Sequence, residues 1–217
     1  MATFILIPGG WQGGWVYQPV ADILGEHGHR ALPMTLSGLG DTRTSTANLE
    51  THIGEVVDVV TSLDHEVILV GHSYAGMVVS GVADALPSQI RALVYVDAYV
   101  PNSGDSMWSL TTQRFRDLIA AGAEADGLNS APPPKNDPRF RPHPIGAFLQ
   151  SITLSGRWRE VPRKTYVGAH GWEGSPFVAL YERLSRDPEW STIAFNCGHN
   201  VAQLQPKALA EVLLAQV

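Results

Sequence analysis

Three residue types that together turn a weak hydroxyl into a nucleophile occur in this chain, each just past a run of apolar residues. Ser73 stands in Val67-Ile68-Leu69-Val70-Gly71-His72-Ser73-Tyr74-Ala75-Gly76, His199 in Asn196-Cys197-Gly198-His199, and Asp97 directly follows the run Ala92 to Val96. A serine hydroxyl is a poor nucleophile near neutral pH, and an imidazole within hydrogen-bond reach is its usual activator. The imidazole in turn needs a carboxylate that fixes its tautomer and stabilises its cation.

The setting of the serine carries most of the argument. Four apolar residues run into Gly71, and a helix-compatible segment, Met77 to Leu86, leaves on the other side. That is strand, tight turn and helix with a serine at the apex: the G-x-S-x-G elbow, here with Ala75 at the last position and Gly76 after it. Gly71 and Ala75 flank Ser73 where a bulky substituent would collide with neighbouring backbone. The alternative is an ordinary turn whose serine caps a helix. A histidine past a later strand favours the elbow.

Two carboxylates compete as the acid. Asp97 ends the strand after the elbow helix, and adjacent strands lie only about 4.8 Å apart. Glu173 is the one carboxylate of Gly168-Ala169-His170-Gly171-Trp172-Glu173, the loop after the run Lys164 to Val167, and it stands further from its strand end. Asp97 is preferred and Glu173 stays as the alternative. An oxyanion would need backbone N–H donors at the same edge. Tyr74 offers one, and the loop Pro8-Gly9-Gly10-Trp11 the other, from Gly10 first and Trp11 next.

That glycine-rich loop lacks the G-x-G-x-x-G spacing of a dinucleotide site, and no Gly-Lys-Ser/Thr marks a phosphate loop. The eight histidines are scattered, without an H-E-x-x-H pair or a cysteine cluster, so neither metal nor cofactor is expected. Cys197 reads as a small packing residue.

The elements that must position these groups alternate. Strands are expected at Phe4 to Ile7, Arg30 to Leu36, the run into Gly71, Ala92 to Val96, Lys164 to Val167 and Ser191 to Phe195. Helices are expected from about Trp15 to His27, Asn48 to Leu63, Met77 to Leu86, Pro176 to Ser185 and Pro206 to Ala215, with a loop from Ser37 to Thr42. Alternation of this kind implies an α/β fold, a doubly wound, mostly parallel sheet whose chemistry collects at the carboxyl ends of its strands. Between Pro101 and Pro162 the prolines at 132–134, 138, 142 and 144 forbid a regular sheet or a long helix. Apolar residues persist there, so residues 102–161 read as an inserted, mainly helical cap of two or three short helices on a core formed by 1–101 and 162–217. Trp108, Phe115, Phe140 and Phe148 of the cap, with Trp11, Tyr99 and His170, are candidates to line an apolar pocket.

Composition narrows the class. The 217 residues, 44% apolar and 17% charged, suit one soluble globular domain with a small insertion. A net charge of -6 without a Lys/Arg cluster argues against nucleic acid. The short apolar run before Pro8 reads as a strand rather than a signal peptide or membrane span, and the single cysteine requires no oxidising compartment. A cytoplasmic enzyme acting on a small molecule is expected. The oligomeric state stays open, a homodimer included.

Over essentially its full length the chain resembles the α/β-hydrolase superfamily, in the order Ser73, Asp97, His199. More narrowly, Pro8-Gly9-Gly10-Trp11-Gln12-Gly13-Gly14-Trp15, the elbow, Tyr95-Val96-Asp97-Ala98-Tyr99-Val100-Pro101 and Cys197-Gly198-His199 are similar to one branch. It holds plant methylesterases, hydroxynitrile lyases and bacterial pyrethroid-type carboxylesterases, the last looking nearest. The resemblance implies a serine hydrolase that cleaves an ester, or a lactone, of a small apolar or aromatic acid through an acyl-enzyme, with no cofactor. Two departures stand out: Ala75 replaces the last glycine of the elbow, and the loop after the penultimate strand lacks the aspartate most relatives carry. Two other classes are a carbon–carbon lyase and a non-catalytic ligand-binding relative. Hydroxynitrile lyases keep a lysine near the pocket, and neither Lys135 nor Lys164, the lysines besides Lys207, sits at an evident carboxyl edge.

Overall fold

The central apolar runs form strands because they can be covered on both faces. In the computed structural model, which describes residues 1–40, 46–134 and 137–217, the chain runs β1 (Thr3–Ile7), α1 (Gln18–Glu26), β2 (Arg30–Pro33), α2 (Leu49–Thr61), β3 (Val67–His72), α3 (Ala75–Ala85) and β4 (Ile90–Val96). The segment after β4 holds α4 (Met107–Leu110), α5 (Gln113–Gly122), a pair of two-residue strands β5 (Asn129–Ser130) and β6 (His143–Pro144), and α6 (Ile145–Leu149). Then follow β7 (Lys164–Ala169), α7 (Val178–Leu184), β8 (Trp190–Phe195), α8 (Val201–Leu204) and α9 (Pro206–Leu214). Asp41, Thr42 and Lys135 lie outside the described residues.

The main sheet has the order β2-β1-β3-β4-β7-β8, with every neighbouring pair parallel. Side chains alternate across it. Ile5, Ile7, Leu69 and Leu93 point to the face covered by α2 and α3, whose Ile53, Val56, Val78 and Val82 share one core with them. Phe4, Leu6, Ile68, Val70 and Val94 point to the other face, against Val20 and Leu24 of α1 and Leu209 and Leu213 of α9. Two covered faces explain why these strands read as continuous apolar runs. The chain winds outward from β1 to β2 and then returns to β3 on the other side of β1, so the loops after β1 and β3 flank the switch point where such sheets bind ligands.

Several boundaries differ from the sequence expectation. The first helix opens as a 3₁₀ turn, Gly14–Tyr17, and turns α-helical at Gln18, with Pro19 in the first turn where its missing N–H is harmless. The second strand stops at Pro33 rather than Leu36. α8 was not expected; its four residues are too few to show a period. β5 and β6 form a ladder in the proline-rich stretch, but only across Asn129↔Pro144 and Ser130↔His143.

The return of the chain to the core is fixed by one carboxylate on α3. Asp84 accepts from the backbone N–H groups of Ser155 (2.6 Å), Gly156 (2.9 Å) and Trp158 (3.1 Å) and from the Ser155 hydroxyl (2.9 Å). Among the described residues no helix is long and apolar enough to cross a membrane.

Candidate active site

Three non-glycine residues among those described have positive φ, and all three stand at the carboxyl edge: Ser73 (55°) after β3, Asp97 (43°) after β4 and Trp11 (64°) after β1. Side chains avoid this conformation unless their surroundings impose it, and such strain concentrates at functional sites.

For Ser73 the imposing contacts are clear. Its N–H donates to the Val96 carbonyl and its carbonyl accepts from Tyr99 N–H, both at 3.2 Å, so the apex is bonded to the chain around Asp97. A Cβ on Gly71 would lie 2.8 Å from the Ala75 carbonyl, and one on Gly76 would run into the carbonyl of Tyr99. The close approach that a final elbow glycine normally allows therefore falls one residue later, at Gly76, which is why Ala75 is tolerated.

Asp97, not Glu173, meets the histidine. His199 Nδ1 donates to Asp97 Oδ2 at 2.6 Å. The Asp97 side chain is 1% exposed, and a buried carboxylate is costly unless its lone pairs are filled. Here Ala169 N–H donates to Oδ1 (3.1 Å) and Trp172 Nε1 to Oδ2 (3.2 Å). Glu173 is exposed. With Nδ1 committed to Asp97, the lone pair of His199 is on Nε2.

The loops that carry Ser73, His199 and Gly10 are cross-linked to one another. His72 Nε2 donates to the His199 carbonyl (3.0 Å), and the two rings lie 4.4 Å apart. Burial, then the nearby His199, hold the His72 imidazole well below its usual value, so it stays neutral beside the His199 ring. Gln12 Oε1 accepts from Gly9 N–H (3.2 Å) while its Nε2 donates to Asn200 Oδ1 (2.8 Å), joining the loop after β1 to the loop after β8. Burial, then the charge of Asp97, push the Cys197 thiol up, which suits a packing residue.

Ser73 and His199 open into one pocket of about 120 Å³, which Gly10 also lines. Of the aromatics picked out by sequence, Trp11, Tyr99, Phe115 and Phe140 line it. The other three are placed elsewhere. Phe148 is fully buried behind Trp11, 5.2 Å from its ring; Trp108 packs against the core; His170 is exposed, with its ring 4.5 Å from Tyr181 of α7. Trp172 and Phe177 line the pocket without having been singled out, and Phe177 lies parallel to His199 at 5.6 Å. The only signal for them was their position in and just past the loop after β7. Lys164 sits at the opposite end of the sheet, its ammonium donating to the carbonyls of Arg159 and Val161.

Fold and site thus define one class: a parallel sheet with a strained serine after one strand and a histidine–aspartate pair that meets from the ends of β8 and β4, across β7. The chain matches the alpha/beta hydrolase family over residues 4–212 and belongs to it. It is 36% identical over 240 residues to the carbendazim hydrolyzing esterase of Nocardioides sp. (strain SG-4G), with 99% of each chain covered. Methylesterase 8 of Arabidopsis thaliana is 33% identical over 108 residues, 48% of this chain and 40% of that protein. Two solved structures share the fold at 20% identity. An extracellular alpha/beta-hydrolase from a Paenibacillus species has a TM-score of 0.85, covering 100% of this chain and 99% of its own. A pyrethroid hydrolase from Sphingobium faniae JZ-2 has 0.76, covering 99% and 96%.

Proposed function

We propose that the protein is a serine esterase that cleaves carboxylic esters of small apolar or aromatic acids through an acyl-enzyme, with residues 102–161 as its cap. The observation that carries the reading is the 2.6 Å bond from His199 to a buried Asp97 beside the strained Ser73. Ser73 Oγ attacks the ester carbonyl and gives its proton to His199 Nε2. Asp97 holds the imidazole and stabilises the imidazolium, and the backbone N–H groups of Gly10 and Tyr74 receive the developing oxyanion. Trp11, the other oxyanion candidate, already donates its N–H to His143 Nδ1 at 3.1 Å. His199 then protonates the leaving alcohol, and it activates the water that releases the acid.

Relatives named as a carbendazim hydrolyzing esterase and methylesterases support ester cleavage. The pocket supports a flat apolar group, because rings of Trp11, Phe115, Phe140, Trp172 and Phe177 line it. A cytoplasmic location suits a chain whose single cysteine is kept as a buried thiol. The test is release of p-nitrophenol from a short acyl ester. A burst that Ser73→Ala abolishes is expected. Absence of a burst together with cyanide release from mandelonitrile would assign the lyase class instead, and neither activity would leave a binding protein. Carbendazim belongs in the same substrate panel.

A further inference from the structure

The loop that carries Gly10 is tied to the loop after β8 through Gln12, and on its other side it is held at Trp11. Trp11, at φ 64°, has three polar groups, and each ends on the β5–β6 segment. Its N–H donates to His143 Nδ1 (3.1 Å), its carbonyl accepts from Arg141 N–H (2.9 Å), and its indole Nε1 donates to the Ser130 carbonyl (2.8 Å).

His143 also touches the other proposed donor. Its ring stacks on Phe148 at 4.1 Å and 11°, and the Tyr74 ring meets both edge-on, 4.9 Å from His143 and 5.4 Å from Phe148. The far end of Tyr74 is pinned as well. Its hydroxyl donates to His52 Nδ1 (2.8 Å), and His52 Nε2 donates to the Ser37 carbonyl (2.9 Å). His143 therefore lies between the residue after Gly10 and the residue after Ser73.

A histidine in this place has a cost that an apolar ring would not. His143 is fully buried, and its Nε2 has no hydrogen-bond partner among the described residues. Because Nδ1 accepts from Trp11, the ring proton must sit on Nε2, where it is unsatisfied. Burial, then His52, hold the imidazole well below its usual value, in keeping with a neutral ring. Phenylalanine could fill the same space and stack on Phe148. What it lacks is the acceptor for Trp11 N–H. The flanking prolines, Pro142 and Pro144, fix the backbone that presents this acceptor.

We propose that His143 is a positioning residue of the oxyanion hole: it holds Trp11, and through it the Gly10 N–H, against Tyr74, so that segment 102–161 completes the catalytic centre as well as walling the pocket. The proposal rests on the reading of Ser73 as nucleophile with Gly10 and Tyr74 as donors. A donor out of place stabilises the tetrahedral adduct less and leaves ground-state binding nearly untouched.

The experiment compares His143→Phe, which keeps the ring and loses the acceptor, with His143→Asn, which keeps an acceptor near the Nδ1 position. Affinity is read for a trifluoromethyl ketone, which forms an oxyanion on Ser73, and for the matching unreactive amide. For His143→Phe, kcat/KM and ketone affinity are expected to fall together by about 10–100-fold, with amide affinity within about twofold, while His143→Asn recovers most of both. Native ketone affinity in His143→Phe, equal losses in the two variants, or an equal loss for the amide would overturn the proposal. Should His143→Phe not fold, imidazole ¹⁵N NMR of the native protein decides. The Nε2–H tautomer is expected, and a proton on Nδ1 overturns the brace. Native protein without an esterase burst sinks the parent reading, and the proposal with it. A native burst with an unaffected His143→Phe sinks the brace alone.

Discussion

The ends of β4 and β7 lie side by side at the carboxyl edge, and they divide one task between them. The β4 end supplies the carboxylate that His199 meets, the acid of the proposed mechanism: Asp97, with positive φ, its backbone N–H donating to the Val167 carbonyl of β7 at 2.6 Å. The β7 end supplies no acid and instead supplies donors, Ala169 N–H and Trp172 Nε1, both aimed at Asp97. The two ends also differ in burial. Asp97, Ala98 and Tyr99 are wedged between the elbow and β7, whereas His170 and Glu173 face solvent. A carboxylate at the wedged position is held at a fixed distance from its neighbours; one in the exposed loop would have to be ordered first. In the proposed mechanism a carboxylate at the end of β4 can therefore serve as the acid because the loop after β7 turns its donors toward it.

The largest effect should come from breaking this division at the β4 end. Asp97→Asn keeps the shape and removes the charge, and it cannot hold His199 in the Nε2-basic tautomer. A fall in kcat of about 10³–10⁴ is expected. Glu173→Gln, the same change at the β7 loop, is expected to stay within about twofold, as exposed charges interact weakly. The reverse pattern in steady-state ester hydrolysis would mean that the acid belongs to β7.

A smaller change probes the β7 contribution alone. Trp172→Phe removes one hydrogen bond to a charged oxygen while keeping a ring beside His199, now at 4.9 Å. Bonds of this kind contribute roughly 1.5–3 kcal/mol when complete, and this one is long at 3.2 Å. A three- to tenfold loss in kcat is expected, on the order of 1 kcal/mol. An unchanged kcat would show that Ala169 N–H holds the carboxylate unaided.

How much of this was legible in the sequence differs by residue. Ser73 and His199 stand next to their own strand ends, so local pattern located them. The parallel sheet was legible for a related reason, since the runs Phe4 to Ile7, Val67 to Val70 and Ala92 to Val96 lack polar alternation and so demand two covered faces. The preference for Asp97 over Glu173 came from its place directly at a strand end, whereas the way Asp97 and His199 meet across β7 depends on the strand order β3-β4-β7-β8, which no local pattern contains. Trp172 was passed over because an indole counts as apolar in sequence, although its one N–H is what it contributes here. Phe148 and Trp11 were grouped as pocket aromatics; they do touch, but the contact puts Phe148 behind the wall and Trp11 on its inner side. His143 is 132 residues from the N–H it accepts, beyond the reach of any spacing argument.

A third carboxylate separates holding the fold from doing the chemistry. Asp84, like Asp97, accepts several N–H groups, but it does so at the far end of α3, where the chain re-enters the core. Partial burial raises its pKa, and the Ser155, Trp158 and Gly156 donors outweigh that, so the carboxyl sits below its ordinary value. A depressed folded pKa means that the folded state favours the ionised form. The resulting stability is complete above the unfolded value of about 4 and is lost as pH falls through the folded one. Asp84→Asn is therefore expected to lower unfolding free energy by about 1–2 kcal/mol at pH 7, allowing for solvent screening. The gap to the native protein should close below about pH 4 in urea titrations, while kcat at pH 7 stays native. A pH-independent gap would mean that Asp84 acts through packing rather than charge. A loss of kcat at native stability would mean that the re-entry point reaches the catalytic edge, and that the contrast between the strand ends extends down α3.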